Sequence, residues 1–171
     1  RTDLDWVLVP FTIADGRAVP DSNFVVSAPE GSTLQSLALG KWYERRYGTR
    51  FEVDTDLLVT MGAKEGISHL CLAILDRGDT AVVPDPCYPI HAYGVILAGG
   101  EVCNVPIGPG RDFFADLESA YKRTWPRPKL LLLNFPHNPT TAVVDLDFFT
   151  RVVAFARDKK MWVVQDLAYA D

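Results

Sequence analysis

The sequence predicts an α/β fold, a three-layer sandwich built around a mostly parallel sheet, and two observations carry that prediction. Five short runs, at 57–61, 80–84, 101–106, 129–134 and 161–166, are apolar almost from end to end, as strands are when both faces of their sheet are covered. Amphipathic segments at helical spacing lie between several of them, and strands that alternate with helices pair in parallel. The size agrees. A chain of 171 residues, 48% hydrophobic and 23% charged, is enough for one sizeable core.

The elements follow in chain order. Residues 1–31 mix short apolar runs with Pro10, Gly16, Pro20, Pro29 and Gly31, which predicts irregular structure. Leu34, Leu37, Ala38, Lys41, Trp42 and Arg45 then keep helical spacing, with Ser32 or Thr33 as cap and Gly48 as stop, so a helix is expected over about 33–47. After the first apolar run, Ile67, Leu70, Cys71, Ile74 and Leu75 mark one helical face, and Phe148, Val152, Phe155 and Ala156 mark another. Leu130 to Leu133 form the clearest buried strand.

Composition excludes several classes of function. A net charge of −5 suggests no nucleic-acid partner. No run approaches the roughly eighteen apolar residues that cross a bilayer, and the first residues lack the basic-then-apolar order of a signal peptide, so a cytoplasmic location is expected. Cys71, Cys87 and Cys103 are odd in number, far apart, and without zinc-ligand spacing. Free thiols and no metal site are expected.

In an open parallel sheet, ligands sit beyond the carboxyl ends of the strands. After the run 57–61 comes Gly62-Ala63-Lys64-Glu65-Gly66, leading into a helix. It is either an ordinary tight connection or an anion site, where backbone N–H groups and the dipole meet negative charge and Lys64 adds a cation. The next strand ends in Pro84-Asp85-Pro86-Cys87-Tyr88-Pro89. Three prolines restrain Tyr88, which then either stacks on a flat heterocycle or anchors a loop. His91 reads as a surface or hydrogen-bonded histidine rather than a catalytic one.

Asn138 lies between His137 and Pro139. It either donates to an oxygen of a bound ring or starts a turn. Asp166 ends the apolar run Trp162-Val-Val-Gln-Asp, with the phenol of Tyr169 three residues on. A carboxylate there is costly to bury unless a cation or a donor meets it. Otherwise it caps a following helix.

In this order and spacing the segments 62–70, 84–91 and 166–171, with Asn138-Pro139-Thr140 between the last two, resemble class I/II aminotransferases, and within them the large domain of fold-type I pyridoxal-phosphate enzymes. The look is nearest to bacterial alanine (glutamate–pyruvate) aminotransferases and their diaminopimelate-aminotransferase-like relatives. The resemblance covers 24–171, a partial cofactor-binding large domain, and leaves 1–23 unassigned. It implies pyridoxal 5'-phosphate as cofactor and an amino acid and a 2-oxo acid as substrates. Gly62, Ala63 and Lys64 would take the phosphate, and Tyr88 would stack on the ring. Asn138 and Tyr169 would bond the phenolic oxygen, and Asp166 would pair with the pyridinium nitrogen.

Three departures bear on activity. Thr141 stands where the family has the glycine of Asn-Pro-Thr-Gly. Val26 stands where a tyrosine reaches the phosphate of the partner subunit in the homodimer expected of the full-length parent. The Schiff-base lysine and the arginines for phosphate and substrate carboxylate match nothing up to Asp171, because Lys159 and Lys160 precede the last strand, at the far end from the ligand edge. The expectation is a fragment of an aminotransferase, inactive alone. Two other readings keep the same fold: a non-catalytic sensor or scaffold domain, and another fold-type I enzyme such as a carbon–sulfur lyase.

Overall fold

The computed structural model describes residues 6–8, 11–14, 17–20, 32–51, 56–58, 60 and 62–169, with side chains from residue 37 onward. The chain divides into two compact units, Arg1–Val9 with Ile67–Ala170, and Pro10–Gly66 with Asp171. The first holds the sheet.

Its strands are β1 (Trp6–Leu8), β4 (Thr80–Asp85), β5 (Glu101–Pro106), β6 (Leu130–Asn134) and β7 (Trp162–Asp166). They lie in the order β1-β7-β6-β4-β5, and every neighbouring pair is parallel. Side chains alternate between the two faces of such a sheet. Val82, Val105, Leu131 and Leu133 meet Leu117, Ala120, Val152 and Ala156 in one apolar cluster. The first two of that second group belong to α4 (Phe113–Arg123) and the last two to α5 (Leu146–Lys159). Ala81, Val83, Leu130 and Leu132 alternate with these and are equally inaccessible. Removing each such leucine from water contributes about 1.5–3 kcal/mol.

Against β4 and β5 also lies α3 (Pro89–Leu97), which buries His91, Gly94 and Val95. Gly94 is the point of close approach to α2 (Ala63–Ile74), since a Cβ there would stand 3.3 Å from Cys71 Sγ. Burial pushes the Cys71 thiol up to about 11.

The helix ends are specified locally. Pro89 opens α3 at its first turn, where a missing N–H costs nothing. Asp112 accepts from the N–H groups of Phe114 and Ala115 at the start of α4, and Asp145 accepts from Phe148 at the start of α5. The Arg127 guanidinium donates to the carbonyls of Tyr121, Lys122 and Thr124 and so closes α4. At the opposite edge from the strand carboxyl ends, Lys129 Nζ meets Asp79 Oδ2 at 2.9 Å. The Asp76 N–H and Lys129 hold Asp79 below the usual carboxylate range.

The second unit contains an antiparallel hairpin, β2 (Phe11–Ala14) with β3 (Arg17–Pro20), and α1 (Ser32–Tyr47). Tyr43 is buried in a ring cluster with Trp42, Tyr47 and Phe51. Burial raises its hydroxyl above the ordinary tyrosine value, with a smaller contribution from Tyr47. The helix stops at Gly48, whose φ of 69° suits glycine.

Three sequence expectations change. Residues 1–31 are not irregular throughout, because 6–8, 11–14 and 17–20 are strands, and 21–31, with Val26, lie outside the described residues. The run 57–61 is not a strand at its described residues 57, 58 and 60, and Leu58 is 80% exposed. Apolar content alone does not make a strand without a ladder to join, and none of the described strands pairs with this run. Finally, α3 and α4 are helices that the periodicity had not marked.

Lys160 carries the left-handed cap of α5 at φ 56°, with its N–H on the carbonyls of Ala156 and Arg157. A side chain there costs about 1 kcal/mol that glycine avoids. Lys160→Gly is therefore expected to raise the unfolding free energy by about 0.5–1 kcal/mol in urea denaturation. An unchanged or lowered midpoint would show the cap to be unstrained.

Candidate functional site

Parallel strands end on one side of the sheet, so residues far apart in sequence meet there. Asn134 and Asp166 close β6 and β7 and stand opposite one another in register. The β4 strand leads at that same edge through Asp85 and Tyr88 into α3. Around these three ends the fold gathers Tyr88, His91, Asn134, His137, Asn138, Asp166 and Tyr169.

Asp166 sits at the centre and is 4% exposed. Its Oδ2 is 2.9 Å from Nε2 of His91, whose side chain is fully buried. A carboxylate only accepts, so with Asp166 ionised the Nε2 proton points at it. Oδ1 is buried and has no hydrogen-bond partner among the described residues. An ionised oxygen left that way costs several kcal/mol, so the site demands a donor, and a cationic one matches best.

The backbone of Asp166 is held as firmly as its carboxylate. Asn134 Nδ2 donates to its carbonyl at 2.8 Å and Gln165 Nε2 at 3.0 Å. Gln165 Nε2 also donates to the Phe135 carbonyl at 2.7 Å, tying β7 to the start of the loop after β6.

That loop carries the next group. Asn138 N–H donates to Asn134 Oδ1 at 3.0 Å, and Asn138 Nδ2 donates to the Tyr169 hydroxyl at 3.2 Å. The latter bond uses neither the phenolic proton of Tyr169 nor the second amide proton of Asn138. Tyr169 is 53% exposed, so this end of the site opens to solvent. The rings of Tyr88 and His91 meet in a T-shaped arrangement, with centroids 5.9 Å apart.

His137 fixes the loop from within. Its Nδ1 lies 2.8 Å from Thr140 Oγ1, its N–H donates to the Ala142 carbonyl, and its carbonyl accepts from Thr141 N–H. Thr141 takes φ 61° to close this turn, a left-handed conformation that is strained for a β-branched residue. The glycine-to-threonine departure thus preserves the turn at some energetic cost.

Gly62, Ala63 and Lys64 belong to the other unit. There Gly62 adopts φ 83° and closes a tight turn, with its N–H on the Thr60 carbonyl and its own carbonyl accepting from Thr60 Oγ1. Ala63 and Lys64 open the twelve-residue α2.

Of the two readings of His91 in the sequence, surface or hydrogen-bonded, the second holds. It is a buried partner of Asp166, 75 residues away. Its position on the inward face of α3 with Gly94 and Val95, at i, i+3 and i+4, was the available signal. Asn134, taken only as the last residue of a strand, and Gln165 are the other residues whose part emerges from the geometry. Lys159 pairs with Asp158 and lies over Tyr121 and Phe155, before β7 begins. Among the described residues no cluster of side chains suits a metal ion, and no helix is long and apolar enough to cross a membrane.

The family model for aminotransferase class I and II matches residues 21–171. Glutamate-pyruvate aminotransferase AlaC of Escherichia coli is 49% identical over 134 residues, covering 78% of this chain and 32% of its own length. LL-diaminopimelate aminotransferase of Dehalococcoides mccartyi is 39% identical over 150 residues, covering 88% of this chain and 39% of its own. Among solved structures, a probable N-succinyldiaminopimelate aminotransferase from Thermus thermophilus superposes with a TM-score of 0.71 at 31% identity, covering 80% of this chain and 37% of its own. The chain thus spans 32% to 39% of the length of these relatives.

Burial first, and the neighbouring His91 second, hold His137 below the ordinary histidine value. The neutral imidazole is favoured in the fold, while the unfolded chain takes up a proton near pH 6.5. The contribution of His137 to stability is therefore complete above about pH 6.5 and falls as the pH drops from there towards the lower folded value. His137→Asn is expected to flatten the loss of stability between about pH 7.5 and 5.5, followed by denaturation midpoints. Equal slopes in the two proteins would remove His137 from this account.

Proposed function

The chain belongs to the class I and II aminotransferases, and from that premise we propose that the whole protein moves an amino group between an amino acid and a 2-oxo acid with pyridoxal 5'-phosphate as cofactor. Members of the family use that cofactor. The observation that carries the reading is the buried Asp166 Oδ1, which lacks a donor among the described residues. A protonated pyridine nitrogen supplies both the missing hydrogen and the missing positive charge.

When bound, the cofactor supplies an electron-accepting ring for the electrons left as the substrate's α proton departs. The residues of this chain prepare the surroundings. Asp166 holds the ring nitrogen in its protonated form, and its low exposure keeps that attraction from being screened by water. His91 donates to the other carboxylate oxygen and so fixes which oxygen faces the ring. Asn138 and Tyr169 offer their remaining protons to the phenolic oxygen, and Tyr88 stacks on the ring face. The turn of Gly62, Ala63 and Lys64, taken by itself, suits a phosphate, because first-turn N–H groups and the helix dipole face the same way.

The cofactor-binding module is assigned to 24–171. The family likeness supports a homodimer for the complete protein. The three free cysteines, well separated in sequence, fit a reducing compartment such as the cytoplasm.

Asp166→Asn tests the reading in the full-length protein, since it keeps the shape and removes the charge. Turnover is expected to fall by about a hundredfold to a thousandfold or more, with the unfolding temperature little changed. Transamination within threefold of the parent would contradict the role given to Asp166.

A further inference from the structure

Asn134 occupies a position that the proposed chemistry does not itself require. It is 2% exposed, closes β6, and touches two residues of the site through one amide. Nδ2 donates to the Asp166 carbonyl at 2.8 Å, and Oδ1 accepts the Asn138 N–H at 3.0 Å. Both bonds go to main chain, so they set where the two residues stand rather than what their side chains do. The geometry points to Asn134 as a positioning residue, whose single amide fixes the distance between Asp166 and Asn138 and hence the fit of pyridoxal phosphate between them.

The chemistry of the position is narrow. One end must donate and the other accept, and among side chains of this size only the amide does both at fixed separation. A leucine does neither and leaves a half-buried N–H and a buried carbonyl with less than they had. The two ends are not equally exposed to loss. The Asp166 carbonyl keeps Gln165 Nε2 as a second donor at 3.0 Å. Pro139 follows Asn138 directly, and the N–H of Asn138 has Asn134 Oδ1 as the acceptor that orders it. Removing the amide therefore releases Asn138 first, while Asp166 stays anchored in the sheet by its ladder with β6. The predicted defect is one of fit at the phenolic-oxygen end of the cofactor.

This inference rests on the cofactor reading above, and its test separates the two. The full-length apoprotein is titrated with pyridoxal phosphate alone, following absorbance, for the parent, Asn134→Leu, Asn138→Ala and the double variant. Asn134→Leu is expected to weaken binding about tenfold, the worth of one well-made hydrogen bond. In the Asn138→Ala background the same change is expected to cost less than threefold, because the group being positioned is gone. A merely structural role lowers the unfolding temperature equally in both backgrounds and leaves the two binding losses additive. Additive losses, or an unchanged affinity in Asn134→Leu, overturn the positioning role and leave the cofactor reading standing. A parent protein without affinity for pyridoxal phosphate overturns both. Should Asn134→Leu fail to fold, Asn134→Ala, which leaves room for water, is carried through the same cycle with the same criteria.

Discussion

The arrangement at the sheet edge depends on one costly fact, the burial of a carboxylate. Asp166 ends a strand at 4% exposure, where an ionised oxygen is stable only if something donates to it. His91 meets one oxygen. The other is buried without a partner among the described residues, while Asn134 and Gln165 hold the main-chain carbonyl of the same residue. The sheet thus presents an acceptor in a place where water is scarce, and such a site selects a cationic donor over a neutral one.

Parallel topology supplies the rest. The ends of β4, β6 and β7 fall on one edge, so an aromatic from the first, an amide from the second and a carboxylate from the third need no long-range search to meet. The apolar interiors of those strands are what make the edge firm. Leu130 to Leu133 are fully buried, and the loop that follows them is stiffened by His137 and by a strained Thr141. The candidate site and the core draw on the same strands here, the one at their ends and the other along their length.

Much of this was legible in the sequence, for identifiable reasons. Continuous apolar runs revealed β4 to β7 because a sheet covered on both faces leaves no polar alternation to confuse the pattern. The helices α1 and α5 were readable from spacing and from caps such as Gly48. By contrast α3 carries apolar residues on its outward face, with Tyr93, Ile96 and Leu97 exposed, so its periodicity is blurred. The cap of α4 at Asp112 shows only in the structure, where it accepts from Phe114 and Ala115. The run 57–61 looked like a strand because it is apolar, yet strand formation is decided by a neighbour and not by composition. Tyr88, Asn138, Asp166 and Tyr169 were found by looking after strand ends. What the sequence did not show is that His91 and Asn134 bond to Asp166, because those bonds span 75 and 32 residues and no local pattern encodes a partner at that distance.

We propose that Asp166 keeps the nitrogen of a bound pyridine ring protonated. The most direct measurement is the ¹⁵N chemical shift of nitrogen-labelled pyridoxal phosphate bound to the full-length protein, followed from pH 6 to pH 9. The shift of a protonated ring nitrogen is expected across that range, because a buried carboxylate stabilises the charge on its partner. A neutral ring nitrogen at pH 7, with the cofactor bound at this site, would contradict it.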